Sequence, residues 1–363
     1  MLFYYDSFTW LAMKSIDSKL PKPAPSNPDA NIGIALGSGS ARGLAHIGVL
    51  RALQEHDIKI DLIAGSSIGA LIGAVYADGN LPMLESSFKA LDWRKLTALL
   101  DLTVPRSGLI EGNRVTTFIK NHLSHNKIED LPLPFCAIAT DILSAKKIIL
   151  REGNLVDAIR ASISVPGIFT PVQYGEKVLV DGGLIDPVPV STLRKMGANY
   201  LIAVDLNHQA SYRKTRKSKP LAKITPLPAA QEISKPSQQN TANISQSLIQ
   251  RMLQIRRMAS SIDNDTSLRF RKWLTNNTSP NIFEIILSSI NIMAAKITEN
   301  QLAMTPPDLL IQPPLGDIHF LAFDQAEKII EIGYQSAQQS LARIDKKALN
   351  ESLPQNPQKQ SPS

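Results

Sequence analysis

The stretch DLIAGSSIGALIGAVYA, residues 61–77, decides the fold. An apolar run at 61–65 predicts a buried strand, and residues 68–79 have a helical pattern with few polar positions. The turn between them, Gly65-Ser66-Ser67-Ile68-Gly69, matches G-x-S-x-G in the strand–turn–helix setting that a nucleophile elbow requires. The turn is so sharp that a Cβ at either glycine would clash, and it lifts Ser67 above the sheet. Ser67 is therefore the predicted nucleophile, and the alternative is a helix start at which Ser66 or Ser67 is only an N-cap.

A second run of small residues lies upstream, between an apolar strand at 31–36 and a helical pattern at 44–56. The run consists of Gly37, Ser38, Gly39, Ser40, Ala41, Arg42 and Gly43. Small residues let backbone N–H groups converge on one point, which can hold the oxyanion of a tetrahedral intermediate. Two alternatives are a plain connecting loop and a dinucleotide-binding G-x-G-x-x-G loop. The dinucleotide pattern needs its third glycine where this chain has Arg42.

A third signal, Asp181-Gly182-Gly183, follows the apolar run KVLVD at 177–181. Parallel sheets carry their sites at the carboxyl ends of the strands, which is where this carboxylate lies. The two glycines allow a sharp turn that brings Asp181 close to a neighbouring side chain. Taken alone, Asp-Gly-Gly is only a turn signal.

The remaining pattern alternates strands with helices, which predicts an α/β fold with a central, mostly parallel sheet and helices on both faces. Further strands are predicted at 134–142, 146–150, 200–206 and 308–313, and further helices at 113–123, 154–163, 189–196, 281–302 and 322–343. The predicted domain division is a flexible segment 1–30, a catalytic domain 31–207, a basic and mobile insertion 208–262, a C-terminal helical region 263–345 and a disordered tail 346–363.

Charge and composition limit the function classes. Residues 213–272 hold 13 Lys and Arg against 3 Asp and Glu, so the rest of the chain carries −3 of the net +7. An acidic catalytic body argues against nucleic-acid binding. The basic insertion, with an amphipathic helix predicted at 247–262, has two interpretations: a segment drawn to anionic lipid, or a solvated loop. The one cysteine, Cys136, is expected to be an inert buried residue.

Targeting signals are weak. The first 30 residues lack a basic region before an apolar core, and no apolar run approaches the roughly 20 residues of a membrane span. The expected location is cytoplasmic with peripheral contact at the inner membrane, and export without a cleaved signal is the alternative. Neither metal nor cofactor is expected, because no cluster has metal-ligand spacing.

Four ordered motifs resemble the patatin-like phospholipases, in the bacterial branch akin to the catalytic domain of neuropathy target esterase. They are IGIALGSGSARGLAHIGVLRAL, IAGSSIGALIGAVYA, RASISVPGIFTPV and LVDGGLIDPVPV, within residues 32–206, and a weaker likeness continues toward the C-terminus. The resemblance implies a patatin-like three-layer fold and hydrolysis of phospholipid or lysophospholipid esters.

The resemblance also implies a Ser67–Asp181 catalytic dyad that works without histidine. The family's glycine-rich oxyanion motif falls on residues 38–43, where this chain has serines at positions 38 and 40. Amides of Gly39 and Ser40, assisted by that of Ile68, are expected to hold the oxyanion, and Arg42 is expected to orient the loop or lie near a phosphate. Alternatives are a soluble Ser-His-Asp esterase, with His208 as third member, and a weakly active protein that binds membranes or a partner.

Overall fold

The computed structural model describes residues 32–98, 101, 110–208 and 282–343. The strands are β1 Ile32–Leu36, β2 Leu62–Ser66, β3 Phe135–Asp141, β4 Lys146–Leu150, β5 Val172–Tyr174, β6 Lys177–Asp181, β7 Tyr200–Val204 and β8 Leu309–Ile311. The helices are α1 Ala45–Glu55, α2 Ile68–Ala77, α3 Leu81–Lys89, α4 Trp93–Ala98, α5 Asn113–Lys120, α6 Leu155–Ser162, α7 Val190–Met196, α8 Ile282–Met304 and α9 Ala326–Ala342.

All eight strands form one sheet, whose hydrogen-bonded path runs β5-β6-β3-β2-β1-β7-β8 while β4 also pairs with β3. The pairs β1–β2, β1–β7, β2–β3 and β7–β8 are parallel. The pairs of β3 with β4 and β6, and of β5 with β6, are antiparallel. The predicted mostly parallel sheet is confirmed, and its antiparallel part is the half formed by β3, β4, β5 and β6.

Helices cover both faces of the sheet, as the alternating side chains of β1 show. Ile34 and Leu36 pack in the larger buried cluster with α1, α2, α6 and α9. Ala35, between them, packs in the second cluster with Val190 and Leu193 of α7. Since successive side chains of a strand point to opposite faces, the two clusters are the two sides of a three-layer fold.

The arrangement of β2 and β6 around β3 positions the site. β2 pairs with residues 135–138 of β3, and β6 pairs with residues 139–141. β4 pairs with residues 137–141 and so takes the other edge of β3 throughout. β2 and β6 therefore lie end to end on one side of β3 and run toward each other, so their carboxyl ends meet.

Several boundaries differ from the prediction. The first helix, expected at 44–56, is preceded by a 3-10 turn at Ser40–Leu44, and the last, expected at 322–343, follows another at Phe323–Gln325. Helices α3 and α4 and strand β5 were not predicted. The strand expected at 308–313 is confirmed as β8, which joins the sheet beside β7. The C-terminal region is also packed tightly on α1, where a Cβ at Gly48 would lie 1.9 Å from the carbonyl oxygen of Ile330.

Some predictions lie outside the described residues: the flexible segment 1–30, the basic insertion beyond residue 208 with its amphipathic helix, and the tail 346–363. Within the described residues, no helix is long and apolar enough to cross a membrane.

Candidate active site

Ser67 occupies a strained turn between β2 and α2. Its φ of 57° and ψ of −125° are a conformation that residues with a side chain rarely adopt. The neighbouring backbone leaves no room for a larger residue at Gly69, where a Cβ would lie 2.1 Å from the carbonyl oxygen of Leu36. At Gly65 a Cβ would lie 2.4 Å from the Gly69 oxygen. The turn therefore has the geometry of a nucleophile elbow, with Ser67 at the positive end of α2.

The Ser67 hydroxyl is bound to the Asp181 carboxylate rather than to the helix that follows it. Ser67 Oγ donates to Asp181 Oδ2 at 2.5 Å, across 114 residues of sequence. Ser67 sits at the N-cap of α2 but makes no side-chain capping bond there. The alternative of a mere N-cap is wrong for Ser67, since its hydroxyl serves another partner.

Asp181 is held by the ends of three neighbouring segments. Its Oδ1 accepts from the Gly183 amide at 2.7 Å, its own amide donates to the Ser164 carbonyl at 2.9 Å, and its carbonyl accepts from Thr140 Oγ1 at 2.8 Å. Only 5% of Asp181 is exposed. The carboxylate thus has one oxygen fixed by the Gly183 amide and the other free to exchange a proton with Ser67.

Burial makes this carboxyl group a stronger base. Desolvation raises the pKa of Asp181 from its ordinary value of 3.8 to about 6, and the hydrogen bonds from Ser67 and Gly183 offset this rise only in part. A base with a pKa near 6 is mostly ionised at neutral pH, yet it can accept a proton far more readily than an exposed aspartate.

The upstream loop, residues 37–43, lies against both partners. A Cβ at Gly183 would lie 2.9 Å from Ser38 Oγ, and one at Gly43 would lie 2.2 Å from Ile68 Cγ2. The loop therefore touches the turn after Asp181 on one side and the start of α2 on the other. All three sequence motifs meet at one edge of the sheet.

Two amides of this loop are available to a ligand. The amides of Gly37, Ser38 and Ala41 donate to the carbonyls of Val204, Pro187 and Phe320. The amides of Gly39 and Ser40 have no acceptor among the described residues, nor does that of Ile68. Unused N–H groups in a loop beside a nucleophile are the donors an oxyanion hole requires.

Arg42 is buried, with only 8% of the residue exposed. Its Nε donates to the Ile318 carbonyl at 3.0 Å, which ties the loop to the segment before α9. That Arg42 orients the loop by hydrogen bonds, or lies near a phosphate, stays a prediction.

Asn207 fixes the loop from the other side, since its Nδ2 donates to the Ser38 carbonyl at 2.9 Å. Sequence reasoning missed this residue. It follows β7 at the carboxyl edge of the sheet, and that position is the signal that would have pointed to it.

Ser162 is a second residue that sequence reasoning missed. Its Oγ accepts from the Ser67 amide at 2.9 Å and donates to the Ile138 carbonyl at 2.6 Å. The fully buried hydroxyl thus bridges the elbow and β3.

Arg160 supports the same region, because it donates to Ser164 Oγ at 2.7 Å and to the Glu111 carbonyl at 2.8 Å. Both Ser162 and Arg160 belong to the RASISVPG motif, whose individual residues the sequence left without a role.

All six histidines fall in the described residues, and none of them hydrogen-bonds with Ser67 or Asp181. His46 is fully buried and pairs through Nε2 with the Gly37 carbonyl at 2.7 Å. Burial lowers the pKa of His46 to about 4, so it is neutral at physiological pH. His208, the alternative third member of a triad, has a buried Nδ1 without a partner in the described chain.

One predicted side feature is the buried cysteine. Cys136 is buried in β3, and desolvation raises the pKa of its thiol to about 12, as expected for an inert structural cysteine. Across the described residues, no group of three or more His, Cys, Asp and Glu side chains has an arrangement that could hold a metal ion.

Comparison with known proteins agrees with this geometry. Residues 34–194 match the family model of the patatin-like phospholipases. An uncharacterized NTE family protein of Mycobacterium bovis is 30% identical over 354 residues, which cover 90% of this chain and 96% of that protein. The chain belongs to the NTE family of patatin-like phospholipases.

Two larger relatives resemble only the catalytic part of this NTE family chain. A lysophospholipase of Debaryomyces hansenii is 37% identical over 182 residues, which are 48% of this chain and 12% of that enzyme. Human patatin-like phospholipase domain-containing protein 6 is 36% identical over 185 residues, or 49% of this chain and 13% of that protein. These likenesses support a lipid hydrolase activity.

Proposed function

We propose that the protein hydrolyses the carboxylic ester of a phospholipid or lysophospholipid through an acyl-Ser67 intermediate, with Asp181 as the only general base. The observation that carries this proposal is the 2.5 Å hydrogen bond between Ser67 Oγ and a dry carboxylate whose pKa is raised to about 6. The substrate class rests on the family, and a lysophospholipase is among its relatives.

In the first half-reaction, Ser67 Oγ forms a bond to the acyl carbon while its proton passes to Asp181 Oδ2. The carbonyl electrons move to the carbonyl oxygen, where the amides of Gly39 and Ser40, with that of Ile68, stabilise the negative charge. When the intermediate collapses, the ester C–O bond breaks and the departing alcohol takes the proton from Asp181.

In the second half-reaction, water attacks the acyl-enzyme and gives its proton to Asp181. The new tetrahedral intermediate releases the fatty acid, and Ser67 recovers its proton. The same carboxyl group therefore serves as base and acid in both steps, which a group with a pKa near neutrality can do.

The serines at positions 38 and 40 bear on how well the loop can act, because the family motif has glycine there. Ser38 keeps its amide in a bond to the Pro187 carbonyl, and its side chain packs at the Asp181 turn. Ser40 adopts a left-handed backbone with a φ of 50° and leaves its amide unused. The serine side chains thus leave the two donors of the proposed oxyanion hole in place.

The test is to incubate a panel of phospholipids and lysophospholipids with the wild type, Ser67→Ala and Asp181→Asn, and to measure released fatty acid. The wild type is expected to release fatty acid, and both variants are expected to lose this activity. Fatty acid release that persists in Asp181→Asn would refute the base assignment. A wild type that neither releases fatty acid nor reacts with a fluorophosphonate would instead favour a catalytically weak, binding role.

A further inference from the structure

Two hairpins extend the sheet beyond the active site. The β3–β4 hairpin turns at residues 142–145, and the β5–β6 hairpin turns at 175–176. The Ile142 amide donates to the Val178 carbonyl at 3.0 Å, and Tyr174 pairs with Lys177 across the second hairpin. This register places both turns side by side at one end of the sheet. We call residues 142–146 and 174–177 together the hairpin tip.

The hairpin tip exposes large apolar side chains. Leu143 is 69% exposed, Ile142 53% and Tyr174 46%. Ile142 and Leu143 are consecutive, and Tyr174 lies on the neighbouring hairpin. Exposed apolar side chains grouped in one patch mark protein or membrane interaction sites. These three side chains take no part in the core, which lies on the two covered faces of the sheet.

The base of the tip is firmly held, so the apolar side chains are presented on a fixed support. Buried Asp141 accepts from Ser144 Oγ at 2.5 Å and from the Leu143 and Val178 amides, each at 3.3 Å. One carboxylate thus joins the β3–β4 turn to β6.

The tip lies beyond the carboxyl end of β3, and Ser67 follows the carboxyl end of the parallel strand β2, so both are on the same side of the sheet. β6 runs from Lys177 at the tip to Asp181 at the site. Four residue steps of about 3.3 Å place the tip about 13 Å beyond Asp181 along the strand. An object bound at the tip therefore lies on the same side of the sheet as the site.

The charge around the apolar side chains fits a lipid surface. Lys146 and Lys177 are exposed at the tip, with Glu176 as the one exposed acidic residue there. Lys177 lies close enough to the buried Asp141 to interact with its charge. Neither Lys146 nor Lys177 forms a salt bridge with a described acidic residue. Lys147, by contrast, is bound to Asp186 at 2.7 Å. Aliphatic residues with a tyrosine and flanking lysines are the composition of membrane-interface anchors.

We infer that the hairpin tip docks on the surface of a phospholipid bilayer. Ile142, Leu143 and Tyr174 enter the boundary between head groups and acyl chains, while Lys146 and Lys177 lie at lipid phosphates. This inference deepens the proposed function and rests on it for its purpose, since docking at the tip turns the carboxyl end of the sheet toward the lipid and holds the site about 13 Å from the tip.

The experiment compares the full chain with Ile142→Ser/Leu143→Ser in flotation with vesicles of equal phosphatidylcholine and phosphatidylglycerol. Met304→Ser is the matched control: Met304 is 77% exposed and ends α8, outside the hairpin tip and just before β8, which lies at the other end of the strand order from β5. The double variant is expected to bind vesicles at least about tenfold more weakly, because two aliphatic side chains no longer enter the lipid. The control is expected to bind as the wild type does.

Hydrolysis of a water-soluble short-chain ester keeps this inference separate from the proposed function. The double variant is expected to retain soluble-ester hydrolysis while losing hydrolysis of vesicle lipid. If the wild type has no esterase activity but its vesicle binding still depends on the tip, the proposed function fails and the docking surface stands.

Other results would overturn the docking surface. Vesicle binding equal in the double variant and the wild type would do so. So would a double variant that keeps its vesicle binding but changes oligomeric state by light scattering, since the tip would then serve a second copy of the chain. Lys146→Gln/Lys177→Gln should weaken binding to anionic vesicles more than to pure phosphatidylcholine, and an equal effect on both would contradict the role given to the lysines.

Discussion

The two ends of helix α2 each have a buried aspartate, but the two carboxylates have different surroundings. At the C-terminal end, Asp78 accepts from Asn80 Nδ2 at 2.9 Å and from the Ser124 amide at 2.5 Å, and its other oxygen contacts His125 Nδ1. At the N-terminal end, Asp181 has only a serine hydroxyl and one amide. Neither of its donors is a group that can carry a positive charge.

This difference separates a structural carboxylate from the carboxylate proposed as the general base. Three donors hold Asp78 between α2 and the 121–125 segment, and one of them, His125, is partly exposed. Asp181 is dry and has one oxygen left to a single exchangeable proton. Donor number and solvent access, rather than residue type or burial, therefore decide which aspartate can act as a base.

The largest expected effect is on catalysis, and it breaks the symmetry between the two aspartates. Ser67→Ala should reduce kcat/KM by about 10⁴-fold or more, and Asp181→Asn by about 10³-fold, since nucleophile and base act as a unit. Asp78→Asn, assayed well below its unfolding temperature, should stay within about threefold of the wild type. Initial rates with a soluble ester give all three values, and an Asp78→Asn loss comparable to that of Asp181→Asn would undo the comparison.

The second expected effect is on the free energy of unfolding, which the replacements Asp181→Asn and Asp78→Asn should change in opposite directions. The folded protein raises the pKa of Asp181 from 3.8 to about 6, so the stability linked to this group is fully present below about pH 3.8 and is lost as pH rises through about 6. Asparagine resembles the protonated form. Asp181→Asn should therefore increase the free energy of unfolding at pH 8, by at most about 3 kcal/mol, and this gain should shrink toward pH 4.

Asp78→Asn should instead lower the free energy of unfolding by about 1–3 kcal/mol, because buried donors lose their acceptor. Urea titrations of both variants at pH 4, 6 and 8 provide the comparison. If Asp181→Asn were less stable than the wild type at pH 8, the buried charge of Asp181 would not be lowering the free energy of unfolding.

A smaller effect is expected from the residue that holds the elbow. Ser162→Ala should lower kcat about tenfold with little change in KM, because the Ser67 amide loses its acceptor and the nucleophile loses its fixed position. Ser66, which precedes Ser67 in the chain, offers a matched control, since its hydroxyl is fully buried and has no hydrogen-bond partner in the described chain.

Ser66→Ala should leave kcat within about twofold of the wild type. As a positioning residue, Ser162 should also leave the midpoint of the kcat/KM pH profile near 6. If Ser162→Ala shifted the midpoint of the kcat/KM pH profile, or were no slower than Ser66→Ala, Ser162 would not be a positioning residue.

The smallest expected effect is that of the histidines. His208→Ala and His46→Ala should each retain hydrolysis of the soluble ester within a fewfold, because no histidine hydrogen-bonds with Ser67 or Asp181. A thousandfold loss in either variant, with the fold intact by circular dichroism, would favour the triad mechanism.

The fold class was predictable because local patterns carry it, whereas the pairing of Ser67 with Asp181 was expected only from the resemblance to a family. The elbow needs a strand, small residues and a helix in succession, and Asp181 is marked by its strand and its two glycines. What could not be predicted depends on contacts between distant segments. Ser162 acts on Ser67 across 95 residues, and the end-to-end meeting of β2 and β6 depends on how both pair with β3.

The missed elements have a local cause. β5 has only three residues, two of them exposed, so it lacks the apolar alternation that marks a strand. Helix α3 buries only Leu81, Leu84 and Phe88, and its helical spacing spans little more than two turns. Short elements of this kind depend on the neighbours they pack against.

The most direct measurement of the central claim, that Asp181 alone removes the Ser67 proton, is the rate of fluorophosphonate labelling across pH 4–9 by intact mass spectrometry. The wild-type rate is expected to rise with a midpoint near pH 6, at which Asp181 ionises, and Ser67→Ala is expected to take up no label. Asp181→Asn should label about 10³-fold more slowly, with that midpoint lost. A wild-type rate that Asp181→Asn leaves unchanged, or that one histidine replacement abolishes, would contradict the account.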